Sequence, residues 1–266
     1  MTLIERACET LTTIRDSSPL VHNMTNVVVA NTTANALLAL GASPAMVDAP
    51  LEAPQLASVA GALVINLGTI TPAQAEAMKL ACEAAQQADV PWILDPVAVG
   101  PLTYRSNLAR ELLAFKPAVI RGNASEIMAL AGLGTGGKGV DSTDSSETAL
   151  DSAKSLAKET GAAVAVSGPT DYITDGTRTV TVKNGHDMMP AVTGLGCTAT
   201  ALIGAALAAT KDPVEAAAFG LLYLGVAGEV AAKGAAGPAS LQTDIINQLY
   251  HLNTKLIRER GNMGEL

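Results

Sequence analysis

Trp92-Ile93-Leu94-Asp95-Pro96 is a short apolar run with no polar residue inside it and an acid at its end. A strand with one wet face alternates apolar and polar side chains. A strand covered on both faces does not, and that is the signature of a parallel sheet packed between helices. The same kind of run recurs at residues 62–67, 118–120 and 163–166. Helix signals fall between these runs. Thr71-Pro72-Ala73-Gln74 is a helix start with a capping Thr, Pro at the first helical position and Gln at the third. Ala149, Leu150, Ala153, Leu156 and Ala157 mark another helix that stops at Gly161. Buried strands alternating with helices predict an α/β fold with a mostly parallel central sheet flanked by helices. Ligands of such sheets sit beyond the carboxyl ends of the strands. Asp95, and Arg121 and Asn123 after the run 118–120, are therefore expected to converge.

Outward from this centre, Leu3, Ala7, Leu11 and Ile14, with Ile4 and Cys8 beside them, give an amphipathic helix that ends at Ser17-Ser18-Pro19. Leu20-Val21-His22 begins an extended stretch, Asn23-Met24-Thr25-Asn26 reads as a polar loop, and residues 27–40 resume a helix that stops at Gly41. One stretch differs: residues 171–174, Asp175-Gly176 and the alternating Thr/Val run 177–183 predict an antiparallel hairpin. The Gly/Ser/Asp-rich stretch 132–146 reads as a long connection, since strand-like runs continue on both sides of it. There is no internal repeat, so residues 1–266 are expected to form a single domain.

The formal net charge of −8 argues against nucleic acid or an anionic membrane as the main partner. The apolar stretch 216–228, closed by Glu215 and Glu229, is shorter than the ~20 residues a bilayer needs. Glu5, Arg6 and Glu9 interrupt the N-terminus before any apolar run develops, so no secretory signal is predicted. Cys8, Cys82 and Cys197 are too widely spaced for a disulfide framework or a metal motif. The expectation is a reduced, cytoplasmic, soluble enzyme.

Its chemistry is read from Val192-Thr193-Gly194-Leu195-Gly196-Cys197-Thr198-Ala199. Gly194 and Gly196 let the backbone approach a ligand closely. A helix opening at Thr198 aims free N–H groups and its positive dipole end at that ligand, which is an anion-binding geometry. Cys197 stands at its mouth. Gly194-x-Gly196-x-x-Ala199 also matches a loosened dinucleotide fingerprint. Glu215, the acid at the right distance, lies in what reads as a helix start rather than at a strand end, so anion binding is preferred. Gly132-Leu133-Gly134-Thr135-Gly136-Gly137 fits another such fingerprint, and the following Lys138 nearly completes a P-loop. That match fails at Gly139, where Ser or Thr is required, and a helix rather than a strand precedes it. Asn123-x-x-Glu126 reads as a capping box, a role compatible with metal binding, and an Asp plus a Glu near phosphate suits magnesium. His251 is read as incidental. His186, after the Asn184-Gly185 turn, and His22 are pocket candidates, and no pair of histidines has ligand spacing.

Taken in order, Pro19-Leu20-Val21-His22-Asn23-Met24-Thr25-Asn26, Leu40-Gly41-Ala42-Ser43-Pro44-Ala45-Met46, Ile93-Leu94-Asp95-Pro96, Ile120-Arg121-Gly122-Asn123-Ala124-Ser125-Glu126, Lys138-Gly139-Val140-Asp141 and Val192-Thr193-Gly194-Leu195-Gly196-Cys197 resemble the hydroxyethylthiazole kinase family over nearly the whole chain. The resemblance implies a ribokinase-like fold and ATP-dependent phosphorylation of the hydroxyl of 4-methyl-5-(2-hydroxyethyl)thiazole, a thiamine precursor. It also implies a homotrimer with active sites at subunit interfaces. By position it puts Asn26, Met46, Gly68 and Gly194 around the thiazole and Arg121, Asn123 and Ser167 on ATP. Asp95 and Glu126 are assigned to Mg2+, and Gly194, Gly196 and Cys197 to the anion hole and catalysis. The wider superfamily usually carries Asp where Cys197 stands, so the chain agrees with this branch.

The reaction implied is in-line attack of the alcohol on the γ-phosphorus, with Cys197 accepting the proton. A helix N-terminus is expected to lower the thiol pKa, and a neighbouring phosphate to oppose that. The rivals are a hydroxymethylpyrimidine or pyridoxal kinase, or an ATP-dependent dehydratase of damaged nicotinamide cofactors, in which Asp is expected at position 197. A further rival is a non-catalytic small-molecule or nucleotide-binding protein, against which the joint presence of Asp95, Arg121, Glu126 and Cys197 speaks.

Overall fold

A computed structural model describes residues 1–132 and 146–266. Its centre is a nine-stranded sheet in the order β2-β1-β3-β4-β5-β6-β7-β8-β9. The strands β1 (Leu20–Met24), β2 (Ser43–Ala45), β3 (Ala62–Asn66), β4 (Trp92–Asp95), β5 (Val119–Asn123) and β6 (Ala163–Ser167) run parallel. Then β7 (Asp171–Thr174), β8 (Thr179–Val182) and β9 (Met263–Glu265) continue the sheet antiparallel. The α/β fold with a mostly parallel sheet and an antiparallel hairpin is what the unbroken apolar runs predict.

Those runs are unbroken because both faces are covered. Val64, Ile93, Val119 and Ala165 pack on one side with α1 (Leu3–Ser17), α2 (Ala30–Leu40), α8 (Leu195–Ala209), α9 (Pro213–Ala232), α10 (Pro238–His251) and α11 (Thr254–Arg260). The alternate residues Leu63, Ile65, Leu94, Ile120 and Val164 pack on the other, with α3 (Ala53–Ala57), α4 (Pro72–Gln87), α5 (Thr103–Leu113), α6 (Ala124–Gly132) and α7 (Leu150–Thr160). Neighbouring residues thus serve opposite cores. α4 begins with the capping box predicted, Thr71 Oγ1 accepting from Gln74 N–H and Gln74 Oε1 from Thr71 N–H. The chain leaves β1 toward β2 on one side and leaves β3 toward β4 on the other. The sheet's topological switch point therefore lies between β1 and β3, where a crevice forms beyond the strand ends.

Five local readings change. Asn23 and Met24, read as the start of a polar loop, are the last two residues of β1, both buried. α8 opens at Leu195, not Thr198: Gly194, at φ +80°, turns the extended chain into the helix, and Gly196 and Cys197 join the first turn. α2 starts at Ala30, with residues 27–29 forming a turn. The hairpin loop is Asp175–Arg178 rather than two residues, because Asp175 Oδ1 accepts from both Thr177 and Arg178 N–H and Gly176 takes φ +89°. The short edge strands β2 and β9 carry no apolar run to announce them. The Lys138–Asp141 motif and all of the candidate P-loop except Gly132, the last residue of α6, fall in residues 133–145, outside the described residues.

α9 is longer than its apolar run suggests: it extends to 20 residues and has the length and composition to cross a bilayer. Yet 89% of its apolar window is buried inside the protein. It is the core helix, and it crosses α8 at backbone contact. A Cβ on Gly220 would lie 2.6 Å from Ile203 N and 2.7 Å from Ile203 Cα. Gly220→Ala is expected to destabilise the fold by about 1–3 kcal/mol, the usual cost of overpacking. An unchanged urea-unfolding midpoint would show that the crossing is looser than this.

Candidate active site

The carboxyl ends of β1, β3 and β4 are joined by side-chain hydrogen bonds. Asn26, in the turn after β1, donates from Nδ2 to Asn66 Oδ1 at 2.9 Å and to Cys197 Sγ at 3.3 Å. Asn66, the last residue of β3, donates in turn to Asp95 Oδ2 at 2.7 Å. Thr200 Oγ1 on α8 donates to the same oxygen at 2.8 Å. Asn66 Oδ1 also accepts from Gly68 N–H at 2.9 Å. A Cβ on Gly68 would press within 3 Å of Asn26 and Asn66, so only glycine fits under this pair. Asn26, Gly68, Asp95 and Cys197 therefore meet at the switch point.

Asp95 is 1% exposed, and its Oδ1 has no partner among the described residues. Burial is the largest influence on its carboxyl, pushing the pKa up to about 6, with the Arg121 guanidinium opposing and the Glu126 charge adding to the rise. Cys197 departs from expectation. The helix N-terminus does not leave its thiol acidic: burial, then the Asp95 charge, holds its pKa above the ordinary thiol value, outweighing the hydrogen bonds from Asn66 and Asn26.

Arg121, the third residue of β5, donates from Nη2 to Ser167 Oγ at the end of β6, at 2.7 Å. Its guanidinium lies over the first turn of α8, where a Cβ on Gly196 would come within 2.7 Å of Nη1. A Cβ on Gly194 would overlap Val29 Cγ1. α8 has no side-chain cap, and its first intrahelical bond is from Thr198 N–H to Gly194 O, so the N–H groups of Leu195, Gly196 and Cys197 point out of its end. Glu126 does form the predicted capping box. Its Oε2 accepts from Asn123 N–H at 2.9 Å while Asn123 Oδ1 accepts from Glu126 N–H at 2.9 Å. Its Oε1 accepts from Ala98 N–H at 3.0 Å, just past β4. Two backbone N–H groups thus hold the carboxyl group at the same end of the sheet as Asp95.

Two hollows flank this ridge. A cleft of about 790 Å³ runs from Arg121, Ser167 and Gly194 to an apolar wall at Met189, Leu221 and Leu224. A smaller hollow of about 80 Å³ is lined by Asn23, Thr25, Asn26 and Met46. Asn26 and the first turn of α8 stand between them. Among the histidines, His186 lines the large cleft, accepting from Met188 N–H at 3.2 Å. His22 is fully buried, donating from Nε2 to Val47 O at 2.7 Å, and His251 is exposed against the edge of Tyr250. Asn66, Thr200 and Asp171 were not anticipated. Asp171 is buried at the cleft, accepting from Gly168 N–H at 3.0 Å, with its pKa raised to about 6 by burial. Asn66 carried a usable signal, a polar residue closing the apolar run Leu63-Val64-Ile65, which is the signal that singled out Asp95. Thr200 had none, lying in an Ala-rich helix.

This constellation has known counterparts. Residues 11–255 match the Hydroxyethylthiazole kinase family. The chain belongs to that family. It is 59% identical over 257 residues to the hydroxyethylthiazole kinase of Granulibacter bethesdensis, with 97% of this chain and 94% of that protein covered. It is 51% identical to the enzyme of Citrobacter koseri, with 94% and 95% covered. The solved hydroxyethylthiazole kinase of Pyrococcus horikoshii OT3 superposes with a TM-score of 0.92 at 39% identity, covering 98% of this chain and 99% of that one. A pyridoxal kinase from Staphylococcus aureus, solved with AMP-PCP and pyridoxal, superposes with a TM-score of 0.65 at 18% identity, covering 93% and 98%. At that distance it shares the ribokinase-like fold alone.

Proposed function

We propose that this kinase transfers the γ-phosphoryl group of ATP to the hydroxyl of 4-methyl-5-(2-hydroxyethyl)thiazole. The observation that carries the reading is the meeting of the two hollows at Asn26, Cys197 and the Gly194–Gly196 turn, in a chain of this family. ATP occupies the large cleft with its phosphates toward Arg121, Asn123 and Ser167. The thiazole ring sits beside Asn26, Met46 and Gly68. The alcohol oxygen bonds to the γ-phosphorus as the bond to the β,γ-bridging oxygen breaks, leaving ADP, and the hydroxyl proton departs toward Cys197 or water. Arg121 and the N–H groups of Gly196 and Cys197 stabilise the charge spreading over the phosphoryl oxygens. Gly194 and Gly196 keep that approach free of side chains.

Asp95 and Glu126 are the residues that would hold Mg2+. Asp95 fits because its buried Oδ1 lacks any partner among the described residues. Magnesium takes few protein carboxylates, and phosphate oxygens and water would complete its shell. When bound, the metal supplies neutralisation of the phosphate charge.

The closing experiment is an ADP-release assay with thiazole alcohol, hydroxymethylpyrimidine and pyridoxal. Preference for the thiazole alcohol supports the reading, and preference for either other alcohol replaces it.

We further propose that residues 1–266 act as one domain in a cytoplasmic homotrimer with its sites shared between subunits. The thiazole hollow holds about 80 Å³ within one chain, and two exposed apolar residues line it, Val27 at 75% and Met46 at 36%. A neighbouring chain would both cover them and complete the wall. Buried, unpaired Cys8 and Cys82 suit a reducing compartment. Sedimentation is expected to show a trimer, and an active monomer would overturn the shared site.

A further inference from the structure

Asn23 is the fourth residue of β1, 2% exposed, and lines the hollow that also holds Asn26 and Met46. Neither its Nδ2 nor its Oδ1 has a hydrogen-bond partner among the described residues. Thr25 Oγ1, on the same hollow, has none either. By contrast Asn26 and Asn66 nearby are fully engaged. Buried amides are almost always paired, and the exceptions mark places where a ligand or water completes them. Asn26 is held by Asn66 and Cys197, and Gln74 on the same hollow donates to Asp48 Oδ2 at 3.0 Å, so among the described residues the buried side-chain amide of this hollow that lacks any partner is that of Asn23.

We propose that Asn23 determines specificity for the alcohol substrate by donating from its amide to the ring nitrogen, with the Thr25 hydroxyl beside it. This rests on the function proposed above. The hydroxyl of that substrate must lie at the Cys197 side of the ridge to reach the phosphoryl group. The ring nitrogen is the one other strong acceptor on the molecule, and it faces a wall with an unused buried donor. A site built around such a donor rejects an analogue lacking the acceptor far more strongly than an apolar pocket rejects a change of shape, because the donor is then left unpaired.

The test compares kcat/KM for the thiazole alcohol with that for its thiophene analogue, in which C–H replaces the ring nitrogen. The wild type is expected to favour the thiazole by roughly 10²-fold or more. Asn23→Leu is expected to bring the two within about tenfold by losing activity on the thiazole alone, with the KM for ATP unchanged. Asn23→Ser serves as the second variant should Leu fail to fold, and thermal shift by each alcohol without ATP reads the same difference as binding. A general structural role for Asn23 would lower both substrates together. Equal wild-type activity on both alcohols, or undiminished discrimination in the Asn23 variants, overturns the assignment and leaves the kinase reading standing. A wild type inactive on the thiazole alcohol overturns both.

Discussion

Asp95→Asn is expected to cut turnover by roughly 10²–10³-fold, the scale on which removing one preorganised electrostatic partner of a transition state is felt, while leaving the ligand-free protein at least as stable as the wild type. The two effects have one cause. Asp95 ends a buried strand at the switch point, where its charge has lost its hydration and gains only Asn66, Thr200 and the distant Arg121 in return. Its folded pKa of about 6 lies above the unfolded value, so the group opposes folding. That penalty is absent at acid pH, grows as pH rises from about 4 to 6, and is complete above 6 at about 3 kcal/mol. An Asn at this position keeps an oxygen for Asn66 Nδ2 and Thr200 Oγ1 and carries no charge. Melting curves of the two proteins without nucleotide should therefore diverge above pH 6 in favour of the variant and converge below pH 4. Glu126→Gln is expected to slow turnover on the same scale. It should also lose a little stability, because a Gln cannot accept from both Ala98 and Asn123 N–H through two oxygens. Near-normal turnover of both variants at saturating magnesium would remove these carboxylates from the catalytic site.

The legible part of the chain was the part whose residues answer to a single demand. Residues of the central strands meet one requirement, burial on both faces, and so β3, β4, β5 and β6 stand out as unbroken apolar runs closed by Asn66, Asp95, Arg121 and Ser167. The capping boxes at Thr71 and Asn123 are equally local. The start of α8 was misplaced by a turn because Gly194, Gly196 and Cys197 have weak helix propensity. What decides the boundary is Gly194's left-handed backbone and its fit against Val29, contacts made across the fold. The pKa of Cys197 was illegible for the same reason: a helix N-terminus is visible in sequence, whereas the burial and the Asp95 charge that override it are tertiary. Asn26, Asn66 and Thr200 come from three separated segments, and only folding makes them a network. Met46 and Gly68 were assigned from the family resemblance alone, since a residue past a short edge strand and a glycine in a turn announce nothing by themselves.

Cys197→Ser is expected to slow phosphoryl transfer by roughly 10 to 10⁴-fold, the range for losing one acid–base group, and Cys197→Asp to hold or raise turnover at neutral pH. The donors of the anion hole are the glycine turn and the uncapped end of α8, which neither change touches. What differs is the proton acceptor. In the wild type, burial and Asp95 keep the thiol protonated at neutral pH, so a reaction that uses its thiolate should speed up as pH rises through 8 and 9. A serine hydroxyl ionises far outside that range and should give a slow, flat profile. A carboxylate starts from near ~4 rather than ~8.5, so even against the neighbouring Asp95 charge more of it is ionised at pH 7 than of the thiol, and the alkaline rise should disappear. Phosphoryl transfer through a loose transition state asks little of a base, which is why the lower end of the range for Ser is still compatible with the role. Equal turnover of Cys and Ser proteins across pH 6 to 9 would sink it. Catalysis would then rest on Arg121, the carboxylates and the α8 N–H groups, with Cys197 serving as a small side chain that accepts the Asn26 amide and leaves the turn open to phosphate.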